Sequence, residues 1–257
     1  MSDTQSSLSA PPDSSIVGDE VARFAALADR WWDPDGPFRP LHKLSPVRIG
    51  LLRTRLLEHF SRPADSLRPL AGLRLIDIGC GGGLIAEPMA RLGADVTAID
   101  AAAEGVEAAK AHAAATGLTI DYRATTAETI LAQGESFDIV LAMEVIEHVA
   151  DPAAFVATCA ALAKPGGFVA FATLNRTRQS FALGIVAAEY LLRWVPRGTH
   201  DWKKFIRPSE LAGWLRRNGL VLDDLQGVGY DMARGEFHPD RDTSVNYVMT
   251  ARKPPTV

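Results

Sequence analysis

From Leu73 onward, short apolar runs alternate with longer stretches in which apolar residues return at helical spacing. The runs read as strands over 74–78, 95–99, 120–124, 137–142, 167–173, 220–228 and 244–251, and the stretches between them as helices over 84–91, 103–116, 152–163 and 208–218. Gly93, Gly117, Gly166 and Gly219 stand where helix stops are expected. Strands that alternate with helices in this way predict an α/β domain on a parallel sheet covered on both faces. Upstream, helical patterns at 19–32 and 46–62 flank a loop that holds Trp31, Trp32, Phe38 and three prolines. Paired tryptophans are costly to leave in water. The loop therefore packs on the core or forms a lid over the sheet's carboxyl edge, and its place ahead of the first strand favours the lid.

The first strand runs into Asp77-Ile78-Gly79-Cys80-Gly81-Gly82-Gly83, and the second strand is followed by Asp100. Glycines after a strand let backbone N–H groups approach a ligand, and an acidic residue about 20 positions later can accept hydrogen bonds from ribose hydroxyls. The spacing departs from the G-x-G-x-x-G that seats a pyrophosphate, and Asp77 would repel a diphosphate. An acid at that place suits a cationic amino-acid group, so the inferred ligand is S-adenosylmethionine, with its positive sulfonium and ammonium. A nicotinamide oxidoreductase is disfavoured on the same grounds. Ligands of open α/β sheets sit beyond the carboxyl ends of the strands. This places Gly79 and Gly81 at the methionine part, with Asp77 beside them, and Asp100 at the ribose. It also places Thr126-Ala127-Glu128 at the adenine edge, with Met143 on the adenine ring or in the core.

At 257 residues and 47% hydrophobic content the chain can bury one substantial core. A net charge of −4 gives no general attraction to nucleic acid. Cys80 and Cys159 form no metal-type pair and read as reduced thiols of an intracellular protein. Residues 1–15 lack the features of a secretion signal, and no run of about 18 apolar residues is present to span a bilayer. The expected organisation is a disordered leader at 1–15, a helical lid at 16–65, and a catalytic domain at 66–257 with an insertion at 175–207.

The D-x-G-C-G-G-G arrangement resembles motif I of the Rossmann-like methyltransferases. The segments from Phe24 to Asp33, Leu41 to Arg48, Met143 to Val149 and Gly198 to Phe205 resemble, more specifically, the ubiquinone-biosynthesis O-methyltransferases. This resemblance implies a seven-stranded methyltransferase sheet whose last hairpin sets one strand antiparallel. It implies methylation of polyprenylated catechol or quinol hydroxyls, and Arg48, Gly79, Asp100 and Met143 at the cofactor. Other enzymes of the ubiquinone pathway are possible partners. Arginine geometry suits a bidentate grip on the cofactor's carboxylate.

Methyl transfer to a phenolic oxygen needs alignment with the donor and removal of a proton that titrates near pH 10. Glu144, Glu147 and His148 follow the fourth strand, where an acceptor would meet the methyl. If the chain turns helical there, Glu144 and His148 share a face. The three then offer a site for Mg²⁺ or Zn²⁺ that binds a catecholate, with His148, beside Glu144, as general base in the alternative reading. The insertion holds an apolar run over 181–195 flanked by Arg176, Arg178, Arg193, Arg197, Lys203 and Lys204. It reads as an interfacial helix on the inner face of a membrane, or as a helix packed on the sheet. The rival functions are a methyltransferase for another small hydroxylated or amine substrate, and a non-catalytic scaffold that binds lipid or partner enzymes.

Overall fold

The computed structural model describes residues 21, 27–182 and 201–256. Eight strands form one sheet in the order β3-β2-β1-β4-β5-β8-β6-β7: β1 Arg74–Ile78, β2 Asp95–Asp100, β3 Asp121–Ala124, β4 Phe137–Met143, β5 Ala163–Leu174, β6 Val221–Asp231, β7 Glu236–Asp240 and β8 Asn246–Arg252. The first five run parallel, whereas β8 is antiparallel to both β5 and β6. The expected fold class stands, with one strand more than expected. The additional strand, β7, is a polar edge strand containing Pro239 and, among the described residues, pairs only with β6. A proline-bearing edge carries little of the apolar signal by which strands are read.

The parallel strands are apolar on successive positions because each face has its own core. Ile76, Ile78, Val140, Ala142, Val169 and Phe171 pack on one side, and Leu75, Ile139, Leu141, Phe168 and Ala170 on the other. The period of two sends neighbours to opposite faces, and helices cover both. Among the described residues the longer helices are α1 Arg39–His59, α2 Ala86–Arg91, α3 Ala103–Ala115, α4 Ala127–Ala132, α5 Pro152–Leu162 and α6 Pro208–Arg217. Asp151 caps α5 by accepting from the N–H groups of Ala153 and Ala154, with Pro152 in the first turn, where its missing donor costs nothing.

Two helices differ from expectation. Helix α1 begins at Arg39, not at Pro46; Pro40 lies in its first turn and Pro46 in its interior, so the proline read as a start is carried inside the helix. No helix was expected after the third strand, yet Ala127 and Glu128 open α4, with Thr126 as its cap accepting from the Thr129 N–H. Half of the expected helix 19–32 lies outside the described residues; within them Ala28–Arg30 is a single 3₁₀ turn. Most of the apolar run of the insertion also lies outside them. Its described ends are tied to the segment before β8 and to each other: Thr177 donates to Ser244 O at 2.6 Å, Asn175 to Thr243 O at 2.8 Å, and the Trp202 indole to Thr177 O at 2.8 Å.

Candidate functional site

The strand order reverses direction between β1 and β4, and the site residues gather at the carboxyl edge there. The N–H groups of Gly79 and Cys80 both donate to Ile99 O, which ties the glycine loop to the end of β2. Asp100 continues the tie, accepting from Gly81 N at 2.8 Å through one oxygen and from Ala102 N at 2.9 Å through the other. Each carboxylate oxygen keeps a lone pair for a further donor. Burial pushes the Asp100 carboxyl up, against the pull of those backbone hydrogen bonds.

Asp77 lies beneath the loop and is buried; burial first, and then the charge of Asp100, pushes its carboxyl up to about 7. One of its oxygens has no hydrogen-bond partner. A buried carboxylate with an open acceptor is costly unless a cation or donor reaches it. Glu147 is likewise buried and pushed up, by desolvation and then by Glu144, while Thr173 donates to its Oε2 at 2.8 Å.

Helix α1 brings Arg48 to this edge. Leu44, Arg48, Leu52 and Leu56 form one buried stripe at a spacing of four, so the guanidinium stands where a helix facing a core would ordinarily carry a leucine. Its Nη2 pairs with Glu144, and its Nε is buried without an acceptor. Arg48 is 4% exposed, so its pairing with Glu144 is not a surface ion pair. The open oxygen of Asp77 and the open Nε of Arg48 suit the ammonium and carboxylate of the amino-acid ligand inferred from sequence. Met143 closes β4 in the core on the α1 side, and Ala127 is buried at the start of α4.

The tryptophan loop rests on the glycine loop. The Trp32 indole donates to Gly82 O at 3.0 Å and stacks on His112 at 3.4 Å, whose Nδ1 lies 2.6 Å from the fully buried Glu87. Trp31 stacks on Phe38 at 3.7 Å. A Cβ at Gly81 would lie 2.4 Å from the Trp31 ring, so at this position the glycine is required by the neighbouring indole as well as by its φ of +49°. Sequence reasoning missed the His112–Glu87 support and the Thr173 donor. No local pattern marks either; each is a single polar residue in an otherwise ordinary element.

The expected helical face through Glu144 and His148 is not formed. Glu144 has φ +58°, which no α-helix accommodates, and only Ile146–His148 makes a 3₁₀ turn. Nor do Glu144, Glu147 and His148 converge as metal ligands: Glu144 is engaged by Arg48 and Glu147 by Thr173, and among the described residues no group of three His, Cys, Asp or Glu could hold a metal ion. The arrangement does not fit a metal shared by the three. Cys80 and Cys159 are free and buried, and burial pushes both thiols up.

The fold and this edge define the methyltransferase class of nucleoside-binding α/β domains. A family model described as methyltransferase domain matches residues 43–225. Magnesium protoporphyrin IX methyltransferase from Synechocystis PCC 6803, solved with bound S-adenosylhomocysteine, superposes with a TM-score of 0.63 at 17% identity, over 91% of this chain and 99% of that one. The ubiquinone biosynthesis O-methyltransferase of Methylobacterium sp. strain 4-46 is 52% identical over 96% of this chain and 99% of its own. That of Caulobacter vibrioides is 52% identical over 95% and 98%. The chain belongs to the ubiquinone biosynthesis O-methyltransferase family.

Proposed function

We propose that this protein transfers the methyl group of S-adenosylmethionine to a hydroxyl of a polyprenylated catechol or demethylubiquinol, in ubiquinone biosynthesis. The observation that carries the reading is the pair of unmatched buried groups at the carboxyl edge, the open oxygen of Asp77 and the Nε of Arg48. One calls for a cation and the other for an anion, and the methionine end of the cofactor supplies both. The cofactor brings an already activated methyl, so the chain's task is to hold, align and deprotonate. Asp100 takes the ribose, and the glycine loop lies against the methionine part. The tryptophan loop shields both from water, as a lid. His148 accepts the acceptor's proton, and Glu144 stands beside it at the end of β4. Relatives at 52% identity over nearly the whole chain support the choice of acceptor.

The test is a methyl-transfer assay on a short-chain demethylubiquinol analogue, compared with the same catechol without its isoprenoid tail. Transfer favouring the tailed acceptor is expected. Transfer to neither, with S-adenosylhomocysteine still bound, would turn the reading towards a non-catalytic scaffold. Replacing His148 by glutamine should lower kcat by about 10²-fold or more, with affinity for S-adenosylhomocysteine unchanged.

The insertion is read as the contact with the membrane that holds the acceptor. Its apolar run and flanking cations support this, and among the described residues no helix is long and apolar enough to cross a membrane. Removing 180–196 should abolish co-sedimentation with anionic liposomes and leave cofactor binding intact; undiminished sedimentation would count against it.

A further inference from the structure

We propose that Arg48 and Glu144 form an exchange latch: the carboxylate of the incoming cofactor takes Arg48 from Glu144, and only then is Glu144 free to meet the acceptor. This rests on the reading of Arg48 as the ligand of the cofactor carboxylate.

The first support is the need for an anion. Arg48 is buried within the leucine stripe of α1, and a buried guanidinium requires a counter-charge. In this structure that charge is Glu144, which lies 96 residues away along the chain. The second support is the half-used edge of the guanidinium. The Nε and Nη2 hydrogens point the same way and are gripped together by one bidentate carboxylate. Glu144 uses Nη2 and leaves Nε without an acceptor. A carboxylate that satisfies both competes with Glu144 for Nη2 and satisfies one donor more. The third support is the backbone at Glu144, which is held at φ +58° directly after β4, while its N–H donates to Ala172 O at 2.9 Å. Residues other than glycine, asparagine and aspartate rarely adopt that conformation, and such strain clusters at working sites.

The latch makes the two halves of the site sequential. With the pair closed, Glu144 is committed to the cofactor side; with cofactor bound, it is released to the side where the acceptor hydroxyl arrives. The chain thereby favours loading the methyl donor first.

Calorimetric titration of the full chain tests this with two probes: S-adenosylhomocysteine, and 5′-methylthioadenosine, which keeps the nucleoside but lacks the carboxylate. Glu144→Gln removes the competitor and should tighten S-adenosylhomocysteine by about tenfold, within the usual range of coupling between sites, while methylthioadenosine binds as before. Arg48→Gln should weaken the first probe and spare the second. If Arg48→Gln weakens S-adenosylhomocysteine but Glu144→Gln does not tighten it, or tightens both probes alike, the latch is wrong and the role of Arg48 survives. If Arg48→Gln changes neither probe, the role of Arg48 itself fails. Glu144→Asn, which tolerates the left-handed backbone more readily, carries the test if the glutamine variant does not fold.

Discussion

Replacing Gly81 by alanine asks whether the tryptophan loop rests on the cofactor loop. Gly81 has φ +49°, and a left-handed backbone costs a residue with a Cβ about 1 kcal/mol or slightly more. The added methyl would sit 2.4 Å from Cη2 and 2.5 Å from Cζ2 of Trp31. That ring has little room to yield, being buried and stacked on Phe38 with planes 4° apart. Overpacking of this kind costs about 1–3 kcal/mol, which brings the total to roughly 2–4 kcal/mol. At about 2–4 °C per kcal/mol for a chain of this size, Tm should fall by roughly 10 °C. Trp31→Phe withdraws the outer ring atoms, so the double variant should lose less than the sum of the singles, by about 1–2 kcal/mol in a double-mutant cycle. What remains is the backbone share. Thermal melts followed by circular dichroism, with urea unfolding for the free energies, measure both quantities. Single effects that add within about 0.5 kcal/mol would refute the packing of Trp31 on the loop, and an unchanged melt in Gly81→Ala would refute the backbone argument as well.

Asp100→Ala removes the acceptor of the Gly81 and Ala102 N–H groups; affinity for S-adenosylhomocysteine should fall at least about tenfold, or about 1.4 kcal/mol, and an unchanged Kd would separate Asp100 from the cofactor. The folded value of Asp77, about 7, stands above its unfolded one. Between about pH 4 and 7 the folded state therefore holds the extra proton, and its contribution to stability falls as pH rises, levelling off above about 7. Asp77→Asn should flatten that part of the pH dependence of Tm in the cofactor-free protein; a slope identical to wild type would show that Asp77 ionises freely in the fold. Thr173→Val removes the donor to buried Glu147 Oε2; a loss of about 1–3 kcal/mol is expected in urea unfolding, and a neutral substitution would mean that Glu147 finds another donor.

The local pattern carried much of this protein. Strands β1, β2, β4 and β5 are legible because parallel strands covered on both faces must be apolar on successive residues, and the turn from Gly79 to Gly83 is legible because its left-handed positions demand glycine. These requirements are written over short stretches of chain, so sequence determined the fold class and the identity of the methyl donor. Tertiary structure alone decided what meets across the chain. Arg48 is drawn to Glu144 over 96 residues, Trp32 to Gly82 over 50, and Thr173 to Glu147 over 26. The backbone of Glu144 turns left-handed where a helix was expected, so the shared helical face inferred from the spacing of Glu144 and His148 is not formed. None of this leaves a period in the sequence, because a single buried charge or ring finds its partner through the packing of whole elements, not through its neighbours.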